Sequence, residues 1–146
     1  MKLKSKSGIT LGSLGIYVLL FTTFTVFASI IMTNLNDNLF NRRGTAINYS
    51  NLNKLQNNIE YSSTESGDFT VDNVNNIIEF SNGDKYKYDS NQKVILKNNG
   101  VLCLNVDSFS FNVAEASRGK KIEIQVVFNK YLSVLDRKIV AYVGVN

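Results

Sequence analysis

The sequence predicts an α+β protein in which one long amino-terminal helix, transmembrane and then amphipathic, packs on an antiparallel β-sheet. Three observations carry this reading. No charged side chain occurs from Ser7 through Asn36, and Ile9–Met32 is apolar with only interspersed Thr, Ser and Gly. Beyond Met32, apolar residues recur at three- or four-residue steps, or sums of them, as far as Ile59. From Phe69 onward the period becomes two, with Asn-Gly pairs between apolar runs.

Ile9–Met32 is the first element. Its 24 residues rise about 36 Å as a helix at ~1.5 Å each, more than the ~30 Å hydrocarbon core of a bilayer. A segment of that length spans with some tilt. Lys2, Lys4 and Lys6 precede it, whereas the other flank offers Asp37 before Arg42 and Arg43. Short basic flanks stay inside, so the carboxy-terminal domain is expected outside the cytoplasmic membrane. Three fates are open: a cleaved secretory signal, an uncleaved signal anchor, or cleavage ahead of the apolar run. "TVFASI" is a poor small-x-small site for the first.

The second element continues the helix. Leu35, Leu39, Ala46, Leu52, Leu55 and Ile59 form its expected apolar stripe, with Asn, Lys and Arg between them. Gly44 weakens its middle by roughly 1 kcal/mol relative to alanine and is expected to mark a bend. The polar stretch Ser62–Asp68, "SSTESGD", ends it. The strands follow as one meander. "NIIEFSNGDKYKYD" holds two strands around Asn82-Gly83, with Tyr86 and Tyr88 on one face and Lys85 and Lys87 on the other. "KVILKNNGVLCLNV" repeats the device at Asn99-Gly100, and "SFSFNV", "KKIEIQVVF" and "RKIVAYVGV" complete the set. About 80 residues of sheet are few for an independent core, so burial against the Leu52–Ile59 stripe is expected to complete it.

Composition narrows the chemistry. The chain has no histidine, which removes ordinary Ser-His and Cys-His pairs and histidine metal ligands. No phosphate-binding or dinucleotide fingerprint occurs, so no catalytic, cofactor or metal site is expected and the chain reads as a non-enzyme. Asp84 and Asp89 flank a hairpin strand, but turn chemistry explains Asp84 beside Asn82-Gly83 better than a calcium loop. The one cysteine, Cys103, reads as a small strand residue. Net charge is +4, yet removing the three leader lysines from the 16 basic residues leaves 13 against 12 acidic, or +1. Such a body offers little field for nucleic acid. Arg118, Lys120 and Lys121 make a small basic loop cluster, read first as solvated and second as a contact for a neighbouring subunit or DNA. The abundant asparagine reads as coding bias, and runs such as "NLNDNLFN" read as solvated surface.

The short lysine-rich leader ending at Gly8, followed by "ITLGSL" and a long apolar helix, resembles the class III signal of type IV prepilins and pseudopilins. The resemblance implies a pilin-like roll, a leader of 1–8, a transmembrane and filament-core helix of 9–32, its amphipathic continuation over 33–62 and a β domain of 63–146. It also implies cleavage by a prepilin peptidase between Gly8 and Ile9, and N-methylation of Ile9. Thr10, Leu11 and Leu14 match the family pattern. Ile9 replaces the commoner Phe or Met, and Ser13 replaces the usual glutamate. That carboxylate costs several kcal/mol in lipid unless paired, and in the family it pairs with a neighbouring subunit's amine. Ser13 inserts without that cost and cannot recruit by that pairing, which suits an initiating or tip-proximal subunit.

The strand pattern "I-x-F-x-N-G-x-x-Y-x-Y" and its continuation to "K-x-I-x-I-x-V" is similar to minor pilins of the type II secretion J-subunit and competence kind. The implied partners are other pilin or pseudopilin subunits, the peptidase, the membrane and an assembly platform, with DNA or a surface ligand as further candidates. The alternative is a signal-anchored extracytoplasmic binding domain that is neither processed nor polymerised.

Overall fold

A proline-free run of 54 residues forms one helix, α1 (Leu11–Thr64). Eight antiparallel strands follow: β1 (Phe69–Asp72), β2 (Ile77–Phe80), β3 (Lys85–Asp89), β4 (Val94–Lys97), β5 (Gly100–Leu104), β6 (Val106–Glu115), β7 (Lys120–Lys130) and β8 (Ser133–Val143). The computed structural model describes residues 11–117 and 119–144. Two units are distinguished along the chain. The first extends to Leu39 and, among the described residues, consists of helix alone; the second begins at Phe40 and contains the rest of α1 with all eight strands. The architecture is the expected α+β one, a long helix packed on antiparallel sheet.

The expected single meander is divided in two. β1–β5 form one sheet and β6–β7–β8 another, each in sequential order. Asn105 makes the division. It adopts φ 59°, a left-handed conformation that asparagine tolerates better than most residues. Its carbonyl accepts the Asn129 N–H at 2.8 Å, so the chain leaves β4 and joins β7. Register then slips at Asp107, between Val106 and Ser108. The Tyr88 hydroxyl closes that irregularity, lying 3.1 Å from the Val106 carbonyl and 2.9 Å from that of Asp107.

The hairpins sit where the sequence places them, with one shift. Between β2 and β3 the Gly83 N–H bonds the Phe80 carbonyl and the Phe80 N–H bonds Asp84, with Gly83 at φ 90°. This is the three-residue loop that ends in a left-handed glycine. Between β4 and β5, Lys97 pairs with Gly100, so the turn is Asn98-Asn99 rather than Asn99-Gly100. Both asparagines have positive φ, 50° and 68°, as the tight hairpin turn matched to strand twist demands. The β1–β2 and β3–β4 loops share another device. Asp72 accepts from the Val74 and Asn75 N–H groups, and Asp89 from those of Asn91 and Gln92.

The core lies between the second half of α1 and both sheets. Leu55 and Ile59 are fully buried with Ile78, Tyr86, Ile95 and Cys103 of the first sheet and Ile122, Ile124, Val126 and Phe128 of the second. Leu52 joins them as expected, but Leu35, Leu39 and Ala46 are exposed. The buried face instead runs Gly44, Asn48, Asn51, Leu52, Leu55, Ile59, Ser62 and Ser63. Its period is helical, but its first half is small and polar.

Gly44 has a contact role that the sequence did not show. A Cβ there would overlap the Lys130 carbonyl oxygen at the end of β7 and stand 3.0 Å from the Ser133 Cβ. Helix and hairpin thus meet backbone to backbone, which only glycine permits. Gly44→Ala should lower thermal stability by about 1–2 kcal/mol, the overlap outweighing alanine's better helix propensity. A melting temperature at or above that of the parent chain would show that this approach is not close-packed.

Candidate assembly site

Among the described residues, the first unit is a helix whose large apolar side chains are exposed. Leu11 is 91% exposed, and Phe21 and Phe24 are each 71% exposed. The helix is long and apolar enough to cross a membrane, and none of its apolar window is buried. Five of its hydroxyls bond within the helix. Thr22 and Thr23 donate to the Leu19 carbonyl, Thr25 to Phe21, Ser29 to Thr25 and Thr33 to Ser29, all at 2.8–3.0 Å. Back-bonding of this kind lets polar residues enter hydrocarbon without an orphaned donor. Gly12 and Gly15 have open space where a side chain would stand, which leaves the helix backbone accessible to a close neighbour.

Ser13 lies in the first described turn of α1, partly exposed. Gly8 and Ile9 lie outside the described residues, as does Arg118 of the basic loop. Lys120 and Lys121 open β7 rather than lying in the expected loop, and both are already engaged. Lys120 meets Asp68 and Lys121 meets Glu123, each at 2.6 Å, and Glu123 also meets Lys138. These carboxylates offset the lysine charge, so the pair presents less free field than its sequence suggests. Cys103 is buried, its Sγ 3.3 Å from the Asn51 carbonyl. Burial pushes this thiol up to about 12, which leaves no thiolate at neutral pH.

Polar groups on α1 hold the helix to both sheets. The Asn48 amide donates to the Ser133 carbonyl of β8 and the Asn51 amide to the Leu104 carbonyl of β5, both at 2.9 Å. Thr45 and Ser133 hydroxyls add a contact of 2.9 Å. Asn48 Oδ1 is buried and unpartnered among the described residues. The run Asn34–Asn41 is exposed as expected, but Asn48 and Asn51, read among the polar residues between the stripe positions, lie on the packed face. Their signal was available, because 44, 48, 51, 55 and 59 follow helical steps; their polarity concealed it.

At the other end of this face, Ser62 donates to Asp84 at 2.6 Å and contacts the Tyr86 hydroxyl at 2.7 Å. Tyr86 also donates to the Asn58 carbonyl at 2.9 Å. Lys97 lies 3.0 Å from the Asp84 carboxylate and 3.1 Å from Asn58 Oδ1, and Asn98 donates to Asp84 at 3.1 Å. Burial pushes the Asp84 carboxyl up, but hydrogen bonds from Ser62, Lys97 and Asn98 outweigh it and hold the group below its usual range. Burial pushes the Tyr86 hydroxyl up, so it stays protonated as a donor. Asp84 thus completes a helix-to-sheet tie, and Asp89 caps its own loop. Among the described residues no cluster of three or more metal-ligating side chains occurs.

No family model, curated protein or solved structure matches this chain. Its functional reading therefore rests on its own residues.

Because the folded carboxyl of Asp84 titrates below its unfolded value of 3.8, its stabilisation is complete above that value and is lost as pH falls through the folded one. Asp84→Asn should cost about 2 kcal/mol at neutral pH and should flatten the acid limb of the stability profile. Parallel acid limbs for variant and parent, measured by thermal unfolding in detergent, would remove Asp84 from that role.

Proposed function

We propose that this chain is a minor pilin or pseudopilin, a non-catalytic subunit of a type IV pilus, competence or type II secretion-like fibre. It is made as a precursor held in the cytoplasmic membrane by residues 9–32, with its β domain outside. A prepilin peptidase cuts between Gly8 and Ile9, the new amine of Ile9 is methylated, and the helix leaves lipid to pack among other subunits on an assembly platform. Assembled chains stand on the cell surface or outside it.

One observation carries the reading: a single helix supplies both an unburied apolar half and the half that completes the core of a sheet domain. Burying a large apolar side chain is worth roughly 1.5–3 kcal/mol, so an apolar surface of this extent requires lipid or neighbouring helices. Both environments are met in turn by a subunit that is first anchored and then polymerised. Ser13 places no carboxylate in that helix, so recruitment through a paired amine is absent. This supports an initiating or tip-proximal position.

Co-expression with a prepilin peptidase should yield a chain shortened by residues 1–8 and carrying one added methyl at Ile9, read by intact mass. A full-length amino terminus under those conditions would favour the permanently anchored binding domain instead. Ser13→Glu should leave assembly unchanged or impaired, scored by the amount of this subunit in sheared fibres. A clear gain of incorporation along the shaft would overturn the initiating role.

A further inference from the structure

We propose that the tip of the β7–β8 hairpin, together with Phe40, Arg42 and Arg43, is a contact site for the anionic surface of the bilayer that holds the precursor. The proposal rests on the membrane-anchored stage of the reading above, not on cleavage or polymerisation. Lys130 pairs with Ser133, so the turn consists of Tyr131 and Leu132 alone. Tyr131 has φ 55°, at a position where such turns favour glycine or asparagine. The comparable turn between β4 and β5 has Asn98-Asn99 there. An aromatic residue in this backbone is unfavourable for the fold, and its side chain is not recovered by burial. Tyr131 is 52% exposed and Leu132 66%. Strain combined with exposed apolar surface marks a segment kept for something outside the fold.

The surroundings say what that is. The Phe40 ring, 45% exposed, stands 5.7 Å from the Tyr131 ring, and Lys130 Nζ lies 4.8 Å from the Tyr131 centroid. The Gly44–Lys130 approach and the Thr45–Ser133 contact hold the tip at the place where the chain enters the second unit. Arg42 and Arg43 are exposed, and among the described residues neither is in an ion pair. Asp107, bonded to Asn129 next to this hairpin end, is neutralised by Lys93 on its other oxygen.

Two aromatic rings, a leucine and three cations without a matching carboxylate suit a layer of phosphates above hydrocarbon. Reach agrees. Phe40 follows Met32 by eight residues, at most ~12 Å of helix. The headgroup layer occupies roughly 5–7 Å of that, and arginine side chains extend through the rest.

The chain contains no tryptophan, so Leu132→Trp introduces a single fluorophore at the tip. The full-length variant is reconstituted in vesicles of phosphatidylethanolamine and phosphatidylglycerol carrying lipid brominated high on the acyl chain. The expected result is about two-fold quenching of the indole, falling by half or more in pure phosphatidylcholine or with Arg42→Gln, Arg43→Gln and Lys130→Gln combined. Adding Tyr131→Gly should abolish the quenching while leaving the fold at least as stable, because it relieves the turn. Leu20→Trp, within the apolar segment, reports insertion separately. Quenching there without quenching at the tip overturns this contact alone. Absence of both overturns the membrane stage and the contact with it. An indole shielded without bromine quenching, increasingly at high protein-to-lipid ratio, would assign the tip to a second copy and overturn the proposal.

Discussion

Burial of Leu52, Leu55 and Ile59 between the two sheets is the interaction on which the folded unit depends. Neither sheet closes a core alone: the first has five short strands, the second three. Leu55 and Ile59 are fully buried with residues from both, so the helix is the shared wall of two half-cores. The sheets also meet directly, through the Tyr88 bonds beside Asn105 and the Lys93–Asp107 and Lys120–Asp68 ion pairs.

Polar contacts direct this burial more than they strengthen it. Asn48 and Asn51 bond carbonyls of β8 and β5, and the Ser62–Tyr86–Asp84–Lys97 group ties the far end of the same face to the first sheet. A hydrophobic stripe is tolerant of rotation by a few tens of degrees, whereas amide-to-carbonyl bonds are not. Gly44 adds a steric stop at the hairpin. Such features choose one rotation of the helix among several that would bury similar area, and that choice presents Phe40 and the arginines beside Tyr131.

The candidate assembly site was largely legible in the chain itself. A charge-free run long enough to span lipid is a local property, and the structure adds that five of its hydroxyls are internally bonded and its large apolar side chains exposed. Ser13 was identifiable only as a departure from a resembled pattern. The hairpin tip was not legible, because Tyr-Leu is no turn signal. Its position became visible once Lys130 and Ser133 were seen paired against Gly44.

Local order was therefore written in period and composition: the helix, its end in Ser62–Asp68, the strand faces of Tyr86, Tyr88 and Ile122–Val126, and the hairpin at Asn82-Gly83. These follow from nearest neighbours along the chain, whose preferences a sequence displays directly. The division of the sheet at Asn105, the one-residue shift to Asn98-Asn99, the burial of Asn48 and Asn51 and the contact at Gly44 were settled by residues far apart in the chain. A left-handed asparagine, a buried amide and a glycine in contact look the same in sequence as a solvated loop, a surface residue and a helix breaker. They differ only in which distant backbone comes within reach of them.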